Sequence, residues 1–174
     1  MNKITMKRTI LLIALFFAGV ALMAQNSAVD KLFDKYSGKD GYTSILISKY
    51  MFSMFSDVNP DNKDFNDLVG KLNSIKILAC DSSNIEGVNF YKEIMKDLPV
   101  KEYKELMVVK EKNQEIKFLV KDNNGLIVEL LLIVGGKSDN VLICIQGDNI
   151  NLKNIAKLSK SMKIDGLENL EKIK

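Results

Sequence analysis

The sequence predicts a single α+β domain in which about four helices pack on a mainly antiparallel sheet of about six strands. Three apolar segments, residues 116–120, 126–134 and 141–145, follow one another with only short polar turns between them. This arrangement is typical of a β-meander. The segments before it alternate between helical and strand periodicity, and no repeat, low-complexity tract or linker marks a second domain.

The first strand of the meander has one apolar face. Ile116, Phe118 and Val120 lie two residues apart, and Lys117 and Lys121 alternate with them. Because side chains point to opposite faces of a strand in turn, this pattern predicts a half-buried strand.

The other two strands of the meander are apolar on both faces. Residues 122–125, Asp-Asn-Asn-Gly, favour a hairpin turn. Residues 126–134 carry a single charge, Glu129, and residues 141–145 carry none. Strands lose their alternation in this way when both faces are covered, so we expect the strand at 126–134 near the sheet centre.

Helices and strands alternate before the meander. Residues 27–38 predict a helix with Ser27 and Asp30 in a capping box and Gly38 at its end. A strand at 42–48 and a short helix at 49–55 follow. A helix from Asp61 or Asn62 to Leu72 then leads into a strand at 74–80, a third helix that ends before Pro99, and a strand at 103–110.

A closing helix is predicted after the meander. Residues 147–151 are rich in helix-capping types, and a helical apolar face follows. That face comprises Leu152, Ile155, Ala156, Ser159 and Met162. The last residues predict a further short helix or a loosely held end.

Residues 1–24 have the features of a cleavable secretory signal. Lys3, Lys7 and Arg8 precede an apolar core at residues 9–20, and the segment ends in Ala24. We therefore expect a mature domain of residues 25–174 in the periplasm or the medium, without a stable membrane anchor. An uncleaved N-terminal anchor is the alternative. The residue directly after the cleavage site is Gln25 and not Cys, which excludes the bacterial lipoprotein route.

Cleavage would leave a neutral protein. Three of the 25 basic residues lie in the first 24 positions and none of the 22 acidic residues does, so the mature chain balances 22 against 22. Nucleic-acid surfaces are strongly basic, so we expect no nucleic-acid partner.

The composition argues against most familiar enzyme mechanisms. The chain has no His, which removes the usual general base and the commonest metal ligand. The stretch from Gly135 to Ser138 lacks the earlier Gly and the following helix of a phosphate-binding loop, and residues 122–125 lack the spacing of an EF-hand. We therefore expect no catalytic residue, cofactor or metal. The formal alternatives are a pair of Ser159 with Lys160 or Lys163, and the carboxylate pairs Glu102 with Glu105 and Glu168 with Glu171.

Cys80 and Cys144 are the only thiols, and both lie inside apolar strand segments. An oxidising compartment permits a disulfide between them. Two buried, unbridged cysteines are the default interpretation.

Four stretches resemble a known family. They are residues 35–44, 90–94, 103–110 and 147–158, which begin Lys35-Tyr36-Ser37, Phe90-Tyr91-Lys92, Tyr103-Lys104-Glu105 and Gly147-Asp148-Asn149. With the order of elements, these stretches are similar to the DUF4252 family of exported Bacteroidetes proteins, a domain of unknown function. The resemblance covers nearly all of the mature chain and implies export and an envelope-stress role, but no catalytic residues.

Three hypotheses of function follow. The first is a non-catalytic interaction module with an envelope protein partner or a second copy, and the alternative is a carrier of a lipid or other apolar ligand between sheet and helices. An enzyme that uses carboxylates or Lys is the third. The candidate ligand or partner surface comprises Tyr50, Met51, Met54, Phe55, Ile127, Leu131 and Ile133. Packing in the core is the default interpretation of the Met and aromatic cluster at 50–55.

Overall fold

A computed structural model describes residues 27–58, 66–67, 69–81, 87–137, 139–153 and 155. The elements in chain order are α1 (Ala28–Tyr36), β1 (Tyr42–Ser48), α2 (Lys49–Val58), β2 (Leu72–Asp81), α3 (Phe90–Asp97), a 3₁₀ turn (Val100–Glu102), β3 (Tyr103–Lys110), β4 (Gln114–Asn123), β5 (Leu126–Gly136) and β6 (Asp139–Gly147). The predicted signal and cleavage site lie outside the described residues.

The six strands form one antiparallel sheet in the order β1-β2-β6-β5-β4-β3. The predicted meander is confirmed as β4, β5 and β6. Its first turn contains Asn124 and Gly125, both with positive φ, which suits a tight hairpin between twisted strands. β5 lies in the interior of the sheet, which confirms its predicted position, and β6 is beside it.

Each face of the sheet carries its own hydrophobic core. Leu131 and Ile133 of β5 pack beneath α1 and α3, whereas Leu130 and Leu132 face the opposite side. The second side is covered by α2 through Phe52 and by the segments around residues 69–72 and 150–155. The alternation along β5 thus places successive side chains in different cores.

The helix termini follow their sequence signals. The backbone N–H of Asp30 donates to the Ser27 hydroxyl at 3.0 Å, which confirms the predicted cap of α1. At α3, the N–H of Lys92 donates to the side-chain oxygen of Asn89 at 2.8 Å. α3 ends before Pro99, as predicted.

The number of helices differs from the prediction. Three α-helices have described bounds, where about four were predicted, although residues 66, 67, 69, 152, 153 and 155 are also helical. Leu72 is not the last residue of a helical face but the first of β2, because its backbone pairs with Gly147 of β6. The remainder of the predicted helix from Asp61 or Asn62 lies largely outside the described residues, as do Ala156, Ser159 and Met162.

The two cysteines are too far apart for a disulfide. Cys80 is opposite Asn140 and Cys144 is opposite Lys76, so the two lie four positions apart along neighbouring strands. At about 3.3 Å per residue this is roughly 13 Å, well beyond the approximately 7 Å between Cα atoms that a bridge permits. Both side chains are buried in the core beneath α1 and α3.

Candidate binding surface

β1 is an edge strand without charge. It pairs only with β2 in the described sheet, so its other side presents backbone groups that a further strand can bind. None of its seven residues, from Tyr42 to Ser48, carries a charge, whereas 27% of the whole chain is charged. Charges on an edge are a common protection against pairing with another chain, and β1 lacks them.

β3, at the opposite edge, has that protection. It contains Lys104, Glu105 and Lys110, and its pairing with β4 is interrupted by a bulge between Glu105 and Met107. Charges and bulges both hinder the addition of another strand. The two edges of this sheet are therefore not equivalent.

Exposed apolar side chains concentrate at β1 and the helix that follows it. Among the described residues, five of the eight large apolar side chains with high exposure lie here. They are Ile45 (43%), Leu46 (58%), Tyr50 (83%), Met51 (46%) and Met54 (64%), and we call this set the β1–α2 surface.

The position of α2 explains why Tyr50 and Met54 face outward. α2 begins at Lys49, directly after β1, and inserts Phe52 into the core on the face that Ile47 shares. Tyr50 and Met54 are four residues apart and therefore lie on the same side of the helix. With Phe52 directed inward, Tyr50 and Met54 remain in solvent.

The structure brings together only part of the predicted site. Tyr50, Met51 and Met54 share the outer surface of α2, and Phe55 belongs to the same helix, although its side chain lies outside the described part of the chain. Tyr50, Met51 and Met54 are on an outer surface and not between sheet and helices.

The three β5 residues of the predicted site are separated from it. Leu131 and Ile133 are fully buried under α1 and α3, so neither is accessible to a ligand or partner. Ile127 is half-buried on the other face. The exposed apolar surface is therefore at the edge of the sheet and not on the face of β5.

Ile45 and Leu46 were missing from the predicted site. Their sequence context, a seven-residue β-branched strand without a charge, was a usable signal. The absence of charge indicates a binding edge only if the strand lies at the edge of the sheet. The sequence did not show this, because local periodicity does not encode strand order.

A partly buried polar row crosses the face of the sheet that lies beneath α1 and α3. The Tyr103 hydroxyl donates to Glu129 Oε1 at 2.7 Å, Gln146 Nε2 donates to Glu129 Oε2 at 3.1 Å, and the Ser74 hydroxyl donates to Gln146 Oε1 at 3.2 Å. Burial, together with this bond to the Glu129 carboxylate, raises the pKa of Tyr103. The row supplies hydrogen-bond donors to Glu129, which is buried and is the only acidic side chain in β5.

The Cys144 thiol adjoins this row but is poorly suited to reaction. Burial and the nearby Glu129 carboxylate raise its pKa well above the ordinary value. Since the thiolate is the nucleophile, such a thiol is inert. The polar row is therefore best explained as a structural network that connects four strands.

A cavity of about 490 Å³ lies between α1 and α3 and is lined largely by charged side chains. Across it, Lys35 Nζ lies 2.7 Å from Glu93 Oε2, and Lys31 Nζ lies 3.5 Å from Asp97 Oδ2. These contacts join the two helices. A wall of ammonium and carboxylate groups does not suit an apolar ligand.

The described ranges lack both metal-ligand clusters and membrane-spanning helices. They contain no group of three or more Cys, Asp or Glu side chains placed to hold a metal ion. None of the helices within them has the length and apolar character needed to cross a bilayer.

The fold and surface define an antiparallel α+β domain that has helices on both faces and one uncharged apolar edge. The chain belongs to the DUF4252 family, described as a domain of unknown function, whose family model matches residues 36–158. The match runs from the end of α1 past β6 and so includes all six strands, which confirms the resemblance found in the sequence. No curated protein and no solved structure matches the chain.

Proposed function

We propose that this protein is an exported, non-catalytic interaction module of the cell envelope that binds a protein partner through the β1–α2 surface. The observation that carries the proposal is the coincidence of an unprotected edge strand with most of the exposed large apolar side chains of the described chain. Large exposed apolar patches mark interaction sites, because their contact with water is unfavourable until a partner covers them.

The backbone and the side chains of this surface support the same mode of binding. A partner strand that adds to β1 would gain main-chain hydrogen bonds, and its side chains would contact the apolar residues of α2. Ile45 and Leu46 point to opposite faces of the strand, so the partner would bury apolar area on both sides of the sheet.

The alternative of an apolar-ligand carrier has less support. A carrier needs an enclosed apolar cavity, whereas Tyr50 is 83% exposed on the outside of α2. The cavity between α1 and α3 is lined by Lys31, Lys35, Glu93 and Asp97. Neither location offers the apolar enclosure that a lipid requires.

Export is proposed from the first 24 residues, and an envelope partner follows from it. Lys3, Lys7 and Arg8, the apolar core at 9–20 and Ala24 together support cleavage before Gln25. The mass of the protein recovered from its own cells tests this step. An intact N-terminus would contradict it.

Photo-cross-linking tests the surface itself. A benzophenone amino acid replaces Tyr50 in the full chain, expressed in its own cells, and the control carries it at Met107 on the β3 edge. We expect a protein-sized adduct at position 50 and none at position 107. No adduct at position 50, or equal adducts at both positions, would contradict the proposal.

A further inference from the structure

We infer that the partner at the β1–α2 surface is a second copy of this chain, and that two β1 strands pair antiparallel about Ile45 to form one continuous twelve-stranded sheet. This inference rests on the proposed function and names its partner. It is carried by the self-complementarity of β1 and the residues beside it.

The β1 strand can pair with itself without any unfavourable charge contact. In a two-fold arrangement about Ile45, this side chain lies opposite Ile45 of the second copy, Leu46 lies opposite Ser44, and Ile47 lies opposite Thr43. Every opposed pair is neutral, and the central pair is β-branched, which favours cross-strand packing. A two-fold interface requires this property, because the same patch serves both copies.

The charges that flank β1 are complementary in the same register. Lys49 at the start of α2 comes opposite Gly41 of the second copy, next to its Asp40. Both Lys49 and Asp40 are exposed in the single chain. The register therefore brings an Asp40 carboxylate, which follows the exposed Lys39, near a Lys49 ammonium group at each end of the pair, and it keeps the two Lys49 ammonium groups far apart.

The two-fold relation also places the α2 helices of the two copies side by side. Antiparallel strands within one sheet are related by an axis perpendicular to the sheet, so α2 of both copies lies on the same face. α2 carries no charge between Lys49 and Asp57. Tyr50, Met51 and Met54 of one copy can thus approach those of the other and exclude water without burying a charge.

The same arrangement is unfavourable at β3. Lys104, Glu105 and Lys110 would enter the junction, and the bulge between Glu105 and Met107 interrupts a regular ladder. Lys104 is also already paired, its Nζ lying 2.7 Å from Asp122 Oδ1. The sheet therefore has one edge suited to self-association, which yields a closed dimer and not a fibre.

Sedimentation equilibrium tests the inference with two matched variants. Ile45→Lys places two like charges opposite each other at the centre of the junction, and Met107→Lys adds a charge at similar exposure, 40% against 43%, on the other edge. We expect a dimer for the unaltered protein and for Met107→Lys. For Ile45→Lys we expect the dimer dissociation constant to rise by about tenfold or more.

A second variant reports the register and does not depend on Ile45→Lys folding well. Ile45→Cys places two thiols side by side across the proposed axis, whereas the native Cys80 and Cys144 are buried. Mild oxidation is expected to give a disulfide-linked dimer from Ile45→Cys and none from Met107→Cys.

The outcomes separate this inference from the proposed function. A monomer at concentrations on the order of 100 μM, or a dimer that tolerates Ile45→Lys, would overturn the second copy as partner. If the cross-linker at position 50 then captured a different protein, the interaction module would stand and only the inference would fail. A cross-link within one chain would show that another segment covers β1, and would overturn both.

Discussion

The side-chain oxygen of Asn140 on β6 accepts a hydrogen bond from the backbone N–H of Phe90 at 2.8 Å, at the first residue of α3. The Asn140 side-chain nitrogen donates to the carbonyl of Gly136 at 3.2 Å. Asn140 is completely buried. One amide thus joins the start of α3 to the central strands, although α3 and β6 are about fifty residues apart along the chain.

The first prediction concerns this amide. Asn140→Ala leaves the Phe90 N–H and the Gly136 carbonyl buried without their partner, so we expect the free energy of unfolding to fall by about 1–3 kcal/mol. Urea denaturation measures the loss. Asn123→Ala, at an exposed position at the end of β4, is the control and should change stability by less than about 0.5 kcal/mol. Equal losses would show that Asn140 is not a specific anchor.

The second prediction concerns the contact between β5 and α3. A Cβ atom at Gly135 would lie 2.5 Å from the Cβ of Tyr91 and 2.6 Å from its backbone nitrogen. Because backbone cannot move aside cheaply, Gly135→Ala should displace α3 and cost about 1–3 kcal/mol. Thermal and urea unfolding measure this. At the neighbouring Gly136 the nearest atoms are 3.2 Å away, so Gly136→Ala should cost less.

The third prediction concerns Tyr103 and Glu129. Tyr103→Phe removes the 2.7 Å bond to the buried carboxylate and should lower the free energy of unfolding by about 1–3 kcal/mol at neutral pH. The folded state raises the pKa of Tyr103 above its ordinary value of 10.0, so this stabilisation is fully present below pH 10 and is lost as the pH rises further. The difference between the two proteins should therefore narrow in alkaline solution.

Urea denaturation at neutral pH and at about pH 11 measures both effects. Asn113→Ala, at an exposed position between β3 and β4, is the control, because its side chain does not ionise. It should change stability by less than about 0.5 kcal/mol at both pH values. A constant difference for Tyr103→Phe across this range would contradict the assigned role of the hydroxyl.

The fourth prediction concerns acid stability. Burial alone would raise the pKa of Glu93, but hydrogen bonds from Lys35 at 2.7 Å and the Tyr36 hydroxyl at 2.6 Å lower it below 4.5. A depressed carboxyl pKa stabilises the fold above about pH 4.5, and this contribution is lost as the pH falls through the folded value. Because the Lys35 side chain is half exposed, water screens the pair and the effect should stay below about 1 kcal/mol.

Glu93→Gln tests this contribution. The variant should be slightly less stable than the unaltered protein at neutral pH, and the gap should close in acid, as followed by urea denaturation at a series of pH values. Glu111→Gln, at an exposed position between β3 and β4, is the control. A gap that widened in acid would have the wrong sign for a depressed pKa.

Much of the fold could be predicted from local patterns. The bounds of β1 and β3, the Ser27 cap of α1 and the end of α3 before Pro99 agree with the structure. Each rests on chemistry within a few residues. The prediction was wrong at Leu72, which the apolar spacing assigned to a helix. Its backbone pairs instead with Gly147 of β6, a strand that is distant along the chain.

The candidate surface could be predicted only in part. Tyr50, Met51 and Met54 were singled out by their clustering, for which core packing was the default prediction. That default was wrong for these three side chains, which are exposed on α2. Leu131 and Ile133 were placed at the same surface because an apolar strand does not reveal what covers each face. In the structure, α1 and α3 bury both.

The sequence by itself determined the element types, the two apolar faces of the central strands and the neutrality of residues 42–48, because periodicity and charge are local properties of the chain. The tertiary structure alone decided that β1 and β3 are the edges, that Asn140 anchors α3, and that Tyr103, Glu129, Gln146 and Ser74 form one row. These relationships depend on strand order and register. Both are fixed by burying all apolar faces at once, which is a property of the whole chain and of no single segment.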